Sequence, residues 1–255
     1  MPPGATVVLD GLDAILPEWS GTVARDLIIG FEIRNAVGSV ILSGNLKDRI
    51  VRSKVTGALI FQPIVRDLQV PEGGAARVVA IRSTGYAGVS VQAEYKDYPN
   101  NVNPDSVVRS AGSGDELELR FETTPVGASE VSEPVQVYTD AYGYAKTGSV
   151  TIVAEESPGG ARYSVVLENT AAPVRFDPDT IPIVSFEVDG NDFVLSFLNK
   201  ANTWYEIQSA PSPEGPWTRK MSKYCRDAPT VVSFTESAST RPRKFFYRVR
   251  EAPSP

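Results

Sequence analysis

The sequence predicts an all-β protein of two or three antiparallel β-sandwich domains in tandem. Three observations lead there. Apolar residues recur on alternate positions in short runs, the signature of half-buried strands. Glycine and proline, 20 of each in 255 residues, cluster between those runs, where turns need them. No stretch of about 12 residues or more keeps the 3.6-residue apolar period of an amphipathic helix.

The strands are expected, in order, at residues 5–9, 26–34, 40–42, 58–65, 76–81 and 88–95. The last is the cleanest: Val89, Val91, Ala93 and Tyr95 face one way and Ser90, Gln92 and Glu94 the other. Further strands fall at 116–121, 134–138, 149–154, 162–167, 183–188, 192–198, 203–209, 230–234 and 244–250. Residues 44–53 (GNLKDRIVRS) fit either one helical turn or a polar strand. Turn chemistry separates the runs at Pro71-Glu72-Gly73-Gly74, Ser157-Pro158-Gly159-Gly160 and Asp189-Gly190-Asn191-Asp192. Strands at this spacing without helices between them argue for packed antiparallel sheets.

Two stretches have linker composition. Residues 97–115 are rich in Asn, Pro, Ser, Asp and Gly, and residues 169–182 carry Pro173, Pro178 and Pro182. They divide the chain into expected domains at 1–110, 111–175 and 180–252. The first stretch also reads as a long loop inside one large sandwich, which makes 1–175 a single domain.

Charge and composition exclude whole function classes. Lys and Arg total 25 against 31 Asp and Glu, a net charge of −6, which argues against a nucleic-acid-coating surface. The chain has no histidine, so Ser-His-Asp and Cys-His hydrolysis and His-ligated zinc are ruled out within it. With one cysteine, Cys225, no internal disulfide or iron–sulfur cluster can form. Lys223 and Arg226 beside it are able to lower its pKa, but a half-buried thiol in a strand or loop is the favoured reading. The N-terminal residues lack the basic and apolar pattern of a secretory signal peptide, and no apolar run reaches the roughly 20 residues of a membrane span. No cofactor-binding glycine motif occurs, so no cofactor is expected.

Residues 183–250 carry Trp204-Tyr205-Glu206-Ile207-Gln208-Ser209, then Gly215-Pro216-Trp217-Thr218, then Phe245-Phe246-Tyr247-Arg248-Val249-Arg250. In order and spacing this resembles bacterial fibronectin type III-like modules. The resemblance covers about 70 residues and departs from the family by ending just after the last of these motifs, where a full module has one more strand. Alternation along the same segments independently places Tyr205, Ile207, Tyr247 and Val249 in the core. A weaker resemblance, to bacterial immunoglobulin-like repeats, rests on residues 134–167 and the turn Thr139-Asp140-Ala141-Tyr142-Gly143-Tyr144-Ala145. Residues 1–100 resemble no family.

Candidate chemistry is sparse. Trp19 and Trp217 are candidates to stack on sugar rings, with core packing as the alternative. Tyr142 and Tyr144 flank Gly143 in an expected turn and are candidate contact residues. Glu116, Glu118 and Glu122 supply carboxylates for a glycosidase pair, or simply a solvated strand face. Asp177-Pro178-Asp179 with Asp189-Gly190-Asn191-Asp192 offers oxygen ligands of the kind calcium takes, though a solvated turn explains them as well. Arg241-Pro242-Arg243-Lys244 is too short a basic cluster for nucleic acid.

The expected function is therefore non-enzymatic: a structural, assembly-forming protein, first of all a virion component such as a phage head decoration or tail protein, located in a virion or other extracellular assembly. Its partners are other protein subunits, including copies of itself, with a surface glycan as a further candidate and neither nucleic acid nor membrane insertion expected. The alternatives are a bacterial surface or secreted adhesive or carbohydrate-binding module, and a glycoside hydrolase that uses carboxylates alone.

Overall fold

The computed structural model describes residues 1–12, 16–174, 181, 183–189, 192–199, 203–226, 231–237 and 246–252. Most of them lie in strands, and among them there is no α-helix. The chain divides into two compact units: Met1–Ser53 with Ala58–Arg175, and Phe176–Pro255 with Lys54–Gly57.

The first unit begins with β1 (Thr6–Val8), a 3-10 turn at Pro17–Trp19, and β2 (Gly21–Arg34). It continues through β3 (Val40–Ser53), β4 (Leu59–Gln69), β5 (Arg77–Ser83) and β6 (Val91–Glu94). Then come β7 (Asn101–Val102), β8 (Ser106–Arg109), β9 (Leu117–Arg120), β10 (Val131–Ser132) and β11 (Gln136–Thr139). The long hairpin of β12 (Gly143–Glu155) and β13 (Arg162–Val174) completes it. One sheet has the order β1-β8-β9-β5-β12-β13 and the other β2-β3-β4-β11-β6; β7 and β10 form a short parallel pair. All other pairings in the unit's two main sheets are antiparallel.

A single apolar cluster fills the space between the two sheets. Ile33, Leu42, Leu46, Ile50 and Leu59 enter it from the five-stranded sheet, and Val78, Ile81, Val107, Leu119 and Ile152 from the six-stranded one. Each such side chain contributes roughly 1.5–3 kcal/mol by burial. The alternation expected at residues 88–95 is present: Val89, Val91, Ala93 and Tyr95 are buried, while Ser90 and Gln92 are exposed.

Two readings of the sequence change here. Residues 44–53 are a strand, the second half of β3. Their alternation was masked because Asp48 occupies an inward position between Leu46 and Ile50, where a salt bridge to Arg25 accommodates it. Residues 97–115 are not a linker but hold β7 and β8, and β8 pairs with both β1 and β9. The expected boundary at residue 110 is thus absent. Strands from 111–175 enter both sheets beside strands from 1–110, β12 against β5 and β11 against β4 and β6, so the long-loop alternative describes this region.

The second unit contains β14 (Ile183–Asp189), β15 (Asp192–Leu198), β16 (Thr203–Ala210), β17 (Thr218–Cys225), β18 (Val231–Ser237) and β19 (Phe246–Ala252). They form two three-stranded antiparallel sheets, β14-β15-β18 and β17-β16-β19. Phe193, Leu195, Phe197, Tyr205, Ile207, Val232 and Phe234 make its core, with Tyr247 and Val249 packed half-buried against it. β17 (TRKMSKYC) was missed because it exposes most of its side chains, so no apolar alternation marks it. Cys225 at its end is buried, and burial pushes its thiol upward against the opposing pull of Lys223. Its basic neighbours therefore do not activate it.

Candidate assembly surface

The outer edges of the five-stranded sheet are β2 and β6. β2 is fourteen residues long, and its only ladder among the described residues is the one to β3. A strand of this length at an edge presents a row of backbone N–H and C=O groups open to pairing, which proteins usually protect with proline, inward charges or covering segments. β2 has a bulge between Val23 and Arg25, but beyond it the sequence DLIIGFEIR carries no proline. Its apolar side chains are unusually open: Val23 is 53% exposed, Leu27 41% and Ile28 50%. Ile28 lies on the face turned away from the core, while Leu27 shares the face of Phe31 and Ile33 but stands at the edge where the core no longer covers it.

The edge strand of the other sheet, β13, runs nearby within the same sandwich. The sheets are tied together at one end, where Asp48 Oδ2 accepts the Ala171 backbone N–H at 3.2 Å and pairs with Arg25 at 3.0 Å. The Arg25 guanidinium also lies 5.8 Å from the Tyr144 ring centroid. Burial pushes the Asp48 carboxyl up, and Arg25 and the Ala171 N–H only partly offset this. Toward the other end a cavity of about 640 Å³ lies between Gly30, Phe31 and Glu32 of β2 and the half-buried Val165 and Leu167 of β13. The cavity extends past β2 over Ser43, Gly44 and Asn45 of β3 and Asp67 and Gln69 of β4, so only part of that volume adjoins the β2 edge.

Charges on the outward face of this edge are paired within the unit. Asp26 is held by Arg49 at 2.8 Å and Lys47 at 3.2 Å, and the Arg49 hydrogen bond leads in drawing its carboxyl below the usual range. Glu32 pairs with Arg34 along the strand. Asp67, at the cavity mouth, is lowered chiefly by its hydrogen bond to Arg66.

The four aromatic candidates do not gather into one site. Trp19 is buried, stacked on Tyr138 with ring centroids 6.0 Å apart and packed on Val51 and Ile60, so its role is core packing. Tyr142 is half-buried and its carbonyl accepts a bond from Arg52 at 3.0 Å. Tyr144 is half-buried against the main core beneath Arg25. Trp217, in the second unit, has the Arg248 guanidinium 4.3 Å from its ring centroid. Glu116, Glu118 and Glu122 lie opposite Leu117, Leu119 and Phe121, which are buried, and Glu118 is held between Arg82 and Arg120. Asp177-Pro178-Asp179 and Gly190-Asn191 lie outside the described residues, as does Arg241-Pro242-Arg243-Lys244. Among the described residues no group of three or more His, Cys, Asp or Glu could hold a metal ion.

Sequence reasoning passed over a groove of about 500 Å³ on the outer face of the five-stranded sheet. Trp19 and Tyr98 wall it, and Arg49, Gln62 and Gln136 lie along its floor. The two glutamines are joined through Gln62 Nε2 and Gln136 Oε1. Beside it sits Glu133, fully buried. Its Oε2 accepts the Tyr98 backbone N–H at 3.3 Å, the Asn101 side chain also hydrogen-bonds the carboxyl, and Oε1 is buried without a partner. Burial pushes this carboxyl up to about 7, and Asp97 adds to the effect. Between the ordinary carboxylate range and about pH 7 the folded chain thus holds a proton that the unfolded chain has lost. Stability from this group is fully present in acid and falls as pH rises to about 7. Glu133→Gln is expected to match the parent near pH 4 and to be more stable by about 1–3 kcal/mol at pH 8, as urea unfolding at the two pH values would show. Equal stability of the two chains at both pH values would contradict this.

No protein-family model matches the chain, and no curated protein matches it as a relative. No helix among the described residues is long and apolar enough to cross a membrane.

Proposed function

We propose that this chain is a non-enzymatic assembly protein that acts by contact with other protein subunits, and that its setting is a virion, as a head decoration or tail component. The observation that carries the reading is the long edge of β2, free of proline over 26–34 and with Leu27 and Ile28 left open. An edge of this kind invites addition of another strand, which is how sheets join subunits. Two β units in tandem and two long hairpins, β2–β3 and β12–β13, suit a building block that reaches neighbours in a repeating particle. The strand order of the second unit supports its reading as a fibronectin type III-like module, with β19 bordered on one side only among the described residues.

Cross-linking mass spectrometry on the native source tests this. Cross-links from Lys47, one strand in from the β2 edge, are expected to reach structural subunits of one repeating particle. Turnover of a glycoside panel, lost on substituting a single carboxylate, with no such cross-links, would overturn it.

The groove walled by Trp19 and Tyr98 favours a second reading, a carbohydrate-binding module. Two amide side chains and a guanidinium beside the exposed ring of Tyr98, with only the edge of the buried Trp19 reaching the groove, suit a neutral, hydroxyl-rich ligand. Retention on polysaccharide resin, lost in Tyr98→Ala and kept in Trp217→Ala, would support it.

A further inference from the structure

We infer that the partner of the β2 edge is the β2 edge of a second copy of this chain, paired antiparallel about a two-fold axis at Gly30. This rests on the assembly reading above and names its partner.

Residue parity narrows the choice of register. Asp26, Ile28, Gly30, Glu32 and Arg34 alternate with Leu27, Ile29, Phe31 and Ile33, the set that turns toward the core at Phe31 and Ile33. A sheet that continues across a two-fold axis must set outward residues opposite outward residues, so the paired numbers sum to an even value. A sum of 58 opposes Asp26 to Glu32 twice, and like charges directly opposite destabilise a sheet. A sum of 56 sets the buried Arg25, already committed to Asp48, against Phe31 of the other copy and runs into the bulge next to Val23. A sum of 62 brings no two charges face to face, leaving both Asp26 and Arg34 opposite uncharged residues. A sum of 60 opposes Asp26 to Arg34 twice, Ile28 to Glu32 twice, and Gly30 to itself. Of these four it alone places opposite charges face to face, where Asp26 and Arg34 would add to their pairs with Lys47, Arg49 and Glu32; it spans 26–34, past the bulge at Val23 and ending at the irregularity between Ile33 and Arg34.

The local structure agrees with that centre. A Cβ at Gly30 would meet nothing nearer than Asn45 Oδ1 at 3.7 Å, so the face at the axis is open. The cavity that starts at Gly30, Phe31 and Glu32 and runs on over Ser43, Gly44 and Asn45 of β3 leaves this stretch of β2 without close cover from β13. Pairing there covers Leu27 and Ile28, the apolar side chains the free edge leaves in water.

The test uses single-cysteine additions to the full chain, in which Cys225 is buried and the parent serves as background. Directly opposed residues of an antiparallel pair lie within the Cα distance a disulfide spans. Under mild oxidation Gly30→Cys is expected to form a covalent dimer roughly a hundredfold faster than Val37→Cys, which lies on an exposed turn. Ile28→Cys mixed with Glu32→Cys is expected to form a mixed dimer, faster than either variant links to itself. The open space at Gly30 keeps the variant folded, which near-parent unfolding would verify. Equal rates at Gly30→Cys and Val37→Cys, with light scattering showing a monomer at high concentration, would overturn the self-pairing. If native cross-links from Lys47 to another structural subunit persist in that case, the assembly reading stands and only the identity of the partner fails.

Discussion

Arg109→Met is expected to destabilise the first unit by about 3–5 kcal/mol, read as a lowered urea midpoint for its unfolding transition. Arg109 is buried at the end of β8; Asp140 acts on it through its charge, with no salt bridge between them, and the guanidinium donates to four backbone carbonyls. Nε reaches Gly114 O at 2.9 Å, Nη1 reaches Met1 O at 2.7 Å, and Nη2 reaches Tyr86 O and Val89 O, each at 2.8 Å. One side chain thereby ties three loop segments to the end of a strand. Burial draws its pKa down, yet the carbonyl dipoles replace the hydration the charge gave up. Methionine fills similar volume and leaves those oxygens without a donor, at roughly 1–3 kcal/mol for each one that water cannot reach. Arg109→Lys is expected to restore less than half, because an ammonium cannot span the fork. Gly114→Ala should weaken the same knot: Gly114 has φ of +65°, and a Cβ there would stand 2.6 Å from Arg109 Nε. A loss under about 1 kcal/mol in Arg109→Met would contradict this account.

The second large effect is expected at Arg25 and Asp48. Both side chains are about one-tenth exposed, and the Asp48 carboxyl is shifted upward in spite of its partner, so desolvation outweighs attraction. Removing one member alone leaves a buried charge: Arg25→Met is expected to cost about 3–5 kcal/mol at pH 7. The loss should shrink in acid, where Asp48 takes up a proton. In the double variant Arg25→Met, Asp48→Asn the amide oxygen can still accept the Ala171 N–H, and no charge remains. It is expected to recover most of the loss, giving a coupling of several kcal/mol in a double-mutant cycle by chemical unfolding. Additive losses would show that the two residues do not act as a pair.

The strands with regular alternation were legible, and the polar inward positions were not. Residues 88–95 could be read because every inward position is apolar. The second half of β3 could not, because Asp48 interrupts the pattern, and its compensation, Arg25, lies 23 residues away in sequence. β8 was lost in a polar stretch for the same reason: of its inward residues, Val107 reads as core and Arg109 as surface. The absent boundary at residue 110 follows from that loss, since β8 lies between β1, from before residue 110, and β9, from after it, and pairs with both. Trp19 was open to two readings because local sequence does not show that a 3-10 turn folds it onto Tyr138. At the candidate surface, the strand at 26–34 was legible but its edge position was not. The apolar run Leu27-Ile28-Ile29 was the available signal, because a strand apolar on both faces with one sheet to cover it leaves the other in water. Edge position itself depends on long-range pairing, which periodicity does not encode.

The most direct test of the central claim is backbone hydrogen exchange on the full chain, compared between dilute and concentrated solution. Slower exchange at high concentration across residues 26–34, with the exposed turn near Val37 unchanged, is the predicted result, and it should vanish in Ile28→Glu, which sets like charges opposite Glu32 at both ends of the pairing. Concentration-independent exchange along β2, or protection confined to another part of the molecule, would contradict the account.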